Sequence, residues 1–138
     1  GFVVMRKAPR GVMVTLSLSK LASGWHGVHV HTNPDCTFTQ ISPFAASGDH
    51  FGAEGLSHGF MTGGGPQNGD LPNVWIASNG TGRAEFYSNL IDFEDVVKDK
   101  GRSILIDASA DDHINQPSGS SGIHVACGVL RREAPDKN

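Results

Sequence analysis

The stretch Gly24-Trp25-His26-Gly27-Val28-His29-Val30-His31 constrains this chain more than any other part of it. His29 and His31 stand two residues apart, and on a β-strand residues i and i+2 point to the same face. One strand therefore offers two imidazoles to one ion. Further candidates follow: His50 in Gly48-Asp49-His50-Phe51, then His58, then Asp70 in Gly69-Asp70-Leu71-Pro72-Asn73. Imidazole and carboxylate are donors that suit copper and zinc. The pattern points to a β protein with a metal centre built on one strand.

The rest of the sequence is read around that strand. Val12 to Leu18 alternates in hydrophobicity, the period of a half-buried strand. Phe2 to Met5 is a short β-prone run, and Arg6 to Gly11, with Pro9 and Gly11, reads as a turn. From Thr32 to Pro72 there is almost no periodicity. A structureless stretch of that length needs an organiser in a compact domain; a metal and a disulfide would serve. Val74 to Ala77 resumes β character. Asn79-Gly80 carries the hairpin signal, with Arg83 to Tyr87 as the return strand. Asn79-Gly80-Thr81 also fits a glycosylation sequon, which the turn explains more simply. Phe93 to Lys100 suggests one helical turn, Ser103 to Asp107 and Ala126 to Leu130 two more strands, and Ala108 to Gly122 a second long polar loop. Trp25 and Trp75 read as packing residues, and Arg131, Arg132 and Lys137 as a solvated tail.

The 138 residues fit one domain, 1–138, large enough to bury a core. Abundant glycine (18 residues) and low charge fit a loop-rich all-β chain. The formal net charge of −3 leaves no basic footprint for nucleic acid or an acidic membrane surface. No apolar run reaches transmembrane length. No signal peptide is present, and since the chain starts at Gly1 nothing follows from that. The two cysteines, Cys36 and Cys127, read either as a disulfide or as two unrelated buried thiols. A bridge would close a loop of about 90 residues, worth roughly 4–5 kcal/mol in the chain-entropy model.

Taken in order, these motifs resemble the Cu/Zn superoxide dismutase family. The matching pieces are Gly24 to His31, Asn33-Pro34-Asp35-Cys36, Gly48 to Phe51, His58-Gly59, Gly69 to Asn73, Asp111-Asp112-His113 and Ala126-Cys127-Gly128-Val129. The Asn-Pro-x-Cys and Gly-Asp-Leu-Pro-Asn forms look bacterial. The resemblance implies a Greek-key β-barrel or flattened sandwich with two long loops. It makes His29, His31 and His50 copper ligands, and His50, His58 and Asp70 zinc ligands, with His50 bridging the metals. It also implies a Cys36–Cys127 disulfide, a structural role for His26, and Asp111 as the carboxylate that orients ligands of both metals. The disulfide and the family together imply an extracytoplasmic location, periplasmic, cell-envelope or secreted.

Three positions depart from the family. The fourth copper histidine falls at Asp107, the third zinc histidine at Gln67, and the active-site arginine at His124. A strand that the family places before Phe2 is also absent from the sequence, which leaves an edge open to dimerisation or strand addition. A carboxylate at Asp107 favours Cu(II) over Cu(I), and dismutation needs both states. Between Ile104 and Val129 there is no Lys or Arg to attract the superoxide anion. The expected function is therefore that of a superoxide-dismutase-like metal-binding protein. Zinc is its cofactor, copper is weakly held, and copper-dependent dismutation is impaired or absent. Two alternatives stay open. One is a working but atypical dismutase, with superoxide as substrate and His29, His31 and His50 as the catalytic copper ligands. The other is a partner-docking domain like that of the copper chaperone. Asp107 could instead be a solvated strand end, and Asp70 a turn cap.

Overall fold

Alternation makes the first hairpin. In the computed structural model, which describes residues 1–133, β1 (Phe2–Ala8) pairs antiparallel with β2 (Gly11–Leu18). Val12, Val14 and Leu16 of β2 are buried, while Met13 and Thr15 between them stay partly open. The strand runs through Arg6 to Ala8, so the expected turn shrinks to Pro9-Arg10. Gly11 closes it at φ +132, where a Cβ would lie 2.1 Å from the Ser88 carbonyl oxygen. Only glycine allows that approach.

The remaining strands are β3 (Gly24–His31), β4 (Asp70–Ile76), β5 (Gly82–Ser88), β6 (Arg102–Asp107) and β7 (His124–Leu130). They complete two antiparallel sheets, ordered β1-β2-β5 and β4-β3-β6-β7. Val12, Val14 and Leu16 from the first sheet and Val28, Val30, Val74, Ile76, Ile104 and Ile106 from the second belong to one buried apolar cluster. The architecture is the flattened sandwich rather than a closed barrel: β1 and β7 are sheet edges. A short helix α1 (Phe93–Val97) starts where the Asp92 carboxylate accepts the Glu94 N–H at 2.8 Å.

Three expectations are corrected. The Asn-Gly turn forms, with Ala77 N–H donating to the Thr81 carbonyl at 2.8 Å, but β4 and β5 do not pair. The chain changes sheets there, β4 pairing with β3 and β5 with β2. Local turn chemistry fixes the reversal and not the partner. Trp25 and Trp75 do pack, edge-on against each other at 5.3 Å, but on the solvent side and about half exposed rather than in the core. Arg132 is exposed but not free: it pairs with Glu94 at 2.7 Å and lies over the Phe93 ring. Lys137 lies outside the described residues.

What positions the site is the double burial of β3. Val28 and Val30 belong to the core, and His29 and His31 between them are also buried. The second burial comes from the two long loops. Phe51 N–H donates to the Val30 carbonyl at 2.7 Å, and Val30 N–H to the Gly69 carbonyl at 2.9 Å, so loop 32–69 continues the sheet. Gly27 N–H, freed where the β3–β4 register shifts, donates to the Ser109 carbonyl at 2.8 Å and anchors loop 108–123. Cys36 and Cys127 form a disulfide that ties the first loop to β7. The thiol alternative is thereby excluded.

Candidate metal centre

Seven titratable side chains meet beneath the loops: His29, His31, His50, His58, Asp70, Asp107 and Asp111, all buried. Strand β3 supplies the first two, β4 supplies Asp70 at its first residue and β6 supplies Asp107 at its last. Loop 32–69 delivers His50 through a single bridge opposite His31, and loop 108–123 delivers Asp111. Donor atoms of His29, His50, His58 and Asp70 all lie within 4.8 Å of one another, close enough to hold one ion.

Asp111 sits at the centre of the hydrogen bonding. Its Oδ2 lies 2.8 Å from His29 Nε2 and its Oδ1 3.0 Å from His58 Nε2. Asn73 fixes the Asp111 backbone from both sides: its amide donates to the Asp111 carbonyl, and its oxygen accepts the Asp111 N–H, each at 2.8 Å. Gly119 leaves room, since a Cβ there would collide with Asp111 Oδ1. Nothing in the sequence signals these roles of Asn73 and Gly119. Asn73 lay within the Gly-Asp-Leu-Pro-Asn motif, but nothing local signals its partner 38 residues away.

His58 lies between two carboxylates, with Nδ1 2.7 Å from Asp70 Oδ1 and Nε2 on Asp111. Burial opposes its charge, but the hydrogen bonds to Asp111 and Asp70 prevail and raise its pKa to about 9. His29 is raised against the same opposing burial, by Asp107 and Asp111. Its Nδ1 stands 3.0 Å from Asp107 Oδ2, without hydrogen-bond geometry. Burial works against ionisation of Asp70, Asp107 and Asp111, yet their histidine partners hold all three well below the usual carboxylate range. Protons on His29 and His58 thus sit among anionic oxygens, where a cation would otherwise be drawn.

His31 differs. Its Nδ1 donates to the Gly48 carbonyl at 2.7 Å, and its buried Nε2 has no partner. Burial drives its pKa down to about 3, leaving it a neutral imidazole with a free lone pair. Asp70 does act as a turn cap, and one of its oxygens remains turned to the histidines. Its Oδ2 accepts N–H groups of Gly59 and Gln67 at 2.9 Å, capping the loop, while Oδ1 faces His58. Gln67 donates from Nε2 to the Leu56 carbonyl at 3.2 Å, which turns Oε1 to His50 Nδ1 at 2.9 Å. Asp107 is fully buried, so the solvated strand-end alternative is excluded. It accepts from Ser121 Oγ at 2.7 Å and from His124 Nδ1 at 2.6 Å. His26 bridges β3 to the Asp107 and Ala22 carbonyls at 2.6 and 2.8 Å. Ser121 carried no sequence signal; it is one serine among several in a polar loop.

Residues 1–130 match the family model for copper/zinc superoxide dismutase (SODC). The chain belongs to the copper/zinc superoxide dismutase family. It is 36% identical over 138 aligned positions to a Cu-Zn superoxide dismutase of Caulobacter vibrioides, covering 95% of this chain and 78% of that one. A Cu-Zn superoxide dismutase of Deinococcus radiodurans is also 36% identical, at 95% and 76% coverage. Among solved structures, a double mutant of a SOD-like protein from Bacillus subtilis superposes with a TM-score of 0.83 at 27% identity, covering 96% and 89% of the two chains. The Cu/Zn superoxide dismutase from Brucella abortus superposes with a TM-score of 0.76 at 28% identity, covering 92% and 85%. The donor set fits the metals that the family implies: buried imidazole nitrogens, two of them with no hydrogen-bond partner (His29 Nδ1 and His31 Nε2), lie close to carboxylate oxygens.

Proposed function

We propose that this is a superoxide-dismutase-like metal-binding protein that holds zinc and has impaired copper-dependent dismutation. His50, His58 and Asp70 would hold zinc, with the Gln67 oxygen or water completing four positions. His29, His31 and His50 face the copper side. Bound copper would supply the one-electron redox chemistry that converts superoxide to oxygen and hydrogen peroxide.

The observation that carries the reading is the state of Asp107. The family's fourth copper histidine is here a buried carboxylate already engaged by Ser121 and His124. It also stands against His29 Nδ1. No lysine or arginine lies between Ile104 and Val129 to offset it, so the site offers an anionic substrate no compensating charge. The chain's own part in the chemistry is then positional. Asp111 orients His29 and His58, the Gly48 carbonyl orients His31, and all three are buried beneath the loops.

The disulfide and the bacterial relatives support an extracytoplasmic site of action. The unpaired edges β1 and β7 support homodimerisation or strand-edge association.

The test is superoxide decay measured on protein loaded with copper and zinc, with bound metal counted in the same sample. We expect about one zinc per chain and a rate far below the diffusion limit of about 10⁹ M⁻¹s⁻¹. A near-diffusional rate, stoichiometric in copper, would instead make the protein a working atypical dismutase.

A further inference from the structure

We propose that Gln116 is a positioning residue for the zinc ligand His58, acting through the His58 backbone. This rests on the reading that His58 holds zinc. Gln116 stands on loop 108–123, 58 residues from His58 in sequence. Its Oε1 accepts the His58 N–H at 2.8 Å, and its Nε2 donates to the His58 carbonyl at 2.7 Å. The side-chain amide thus pairs with both backbone groups of His58, as a residue of a neighbouring antiparallel strand would.

The orientation of that amide is fixed. Nε2 also donates to the Ile114 carbonyl at 2.9 Å, so both its hydrogens go to carbonyl oxygens. A flipped amide would set Nε2 against the His58 N–H and Oε1 against two carbonyls, donor on donor and acceptor on acceptor. His58 lies outside the strands and is fully buried, so its backbone groups need partners that no ladder supplies. Among the described residues, Gln116 alone supplies both.

The direction of action follows from what holds each loop. Loop 108–123 is tied to β3, where Gly27 N–H reaches the Ser109 carbonyl, and to β4, where Asn73 holds both backbone groups of Asp111. The segment around His58 is bonded largely to itself: Ser57 N–H donates to the Gly64 carbonyl at 3.0 Å and Gly65 N–H to the Thr62 carbonyl at 3.1 Å. Outward, it reaches Asp70 through the Gly59 N–H at 2.9 Å. It also meets loop 108–123 where Met61 N–H donates to the His113 carbonyl at 3.1 Å. Loop 108–123 is therefore the frame, and Gln116 fixes where the His58 ring enters between Asp70 and Asp111. With Gln67 at the third zinc-histidine position, His50 and His58 are the imidazoles left for zinc, so the placement of each matters more.

Competition with a chelator of known affinity gives the zinc dissociation constant of the full chain and its variants. Gln116→Met, which keeps the length and loses the amide, and Gln116→Ala should each bind zinc roughly 10- to 100-fold more weakly, as loss of an orienting partner does. His58→Ala should also bind more weakly. The double variant His58→Ala with Gln116→Met should bind no more weakly than His58→Ala alone, because the amide has lost the ligand it places. A residue that merely fastened the loop would weaken zinc binding in both backgrounds. Circular dichroism checks that each variant is folded. Unchanged affinity in either single Gln116 variant, or a full further loss in the double variant, overturns the proposal and leaves the zinc assignment standing. Affinity that does not respond to His58→Ala refutes the zinc assignment of His58, and the proposal with it.

Discussion

At the scale of single residues, the centre is a set of imidazoles sorted by what each nitrogen faces. His58 faces a carboxylate at both nitrogens, and its pKa of about 9 means that it carries a proton at pH 7. Zinc held by His58, as proposed, would have to expel that proton, so its binding would be linked to proton release. Calorimetric titration with zinc at pH 7, in buffers of differing ionisation enthalpy, should report at least about one proton released per ion. Affinity should weaken by roughly tenfold for each unit of pH below about 9. Binding enthalpies independent of buffer would refute it. The ligand types and the pairing of His29 with His31 were legible because a strand places i and i+2 together. The partners that set each proton were not. Asp107 is 17 residues from His124, and His29 is 82 from Asp111, so only the folded loops bring them into contact.

At the scale of elements, strand alternation was a reliable guide and strand partnership was not. Val12, Val14 and Leu16 announce β2, and Val28 with Val30 fit β3, because burial of one face selects the period directly. The Asn79-Gly80 turn announces a reversal, yet β5 leaves for the other sheet. Gly82 permits the departure: a Cβ there would lie 2.6 Å from the Trp75 carbonyl oxygen. The long loop 32–69 has no periodicity because its structure comes from elsewhere: from β3 through Val30, and from β7 through the Cys36–Cys127 bridge. That bridge spans 91 residues of sequence, so removing it frees a large loop in the unfolded chain. The double substitution Cys36→Ser with Cys127→Ser should lower the free energy of unfolding by about 4–5 kcal/mol, read from urea unfolding curves with the m-value fitted separately for each protein. It should also weaken zinc binding, because His50 and His58 are carried by the loop the bridge restrains. A free energy of unfolding unchanged within about 0.5 kcal/mol would refute the bridge's contribution to stability.

At the scale of the whole molecule, the buried centre governs how stability depends on pH when no metal is bound. His31 is held neutral, with its pKa near 3 against an unfolded value of about 6.5. Between those values the unfolded chain binds more protons, so this stability is complete above about pH 6.5 and is lost as pH falls toward 3. Asp70, Asp107 and Asp111, held below their ordinary range, add losses of the same sign at lower pH. His58 acts oppositely. With its folded pKa near 9, its contribution is complete below about pH 6.5 and is lost as pH rises through 9. His29 is shifted in the same direction. The two slopes meet near the unfolded histidine pKa, so the metal-free protein should be most stable near pH 6–7. Its melting temperature should fall on both sides, with losses on the order of 2–3 kcal/mol toward pH 9 from the His58 shift. Zinc, if held as proposed, should change the alkaline limb, because the metal would replace the proton that high pH removes. Calorimetric scans from pH 4 to 9, with chelator and with zinc, check both statements. A chelated protein that keeps gaining stability toward pH 9 would mean that His58 is not protonated between Asp70 and Asp111, and that the centre is held open by something other than its own protons.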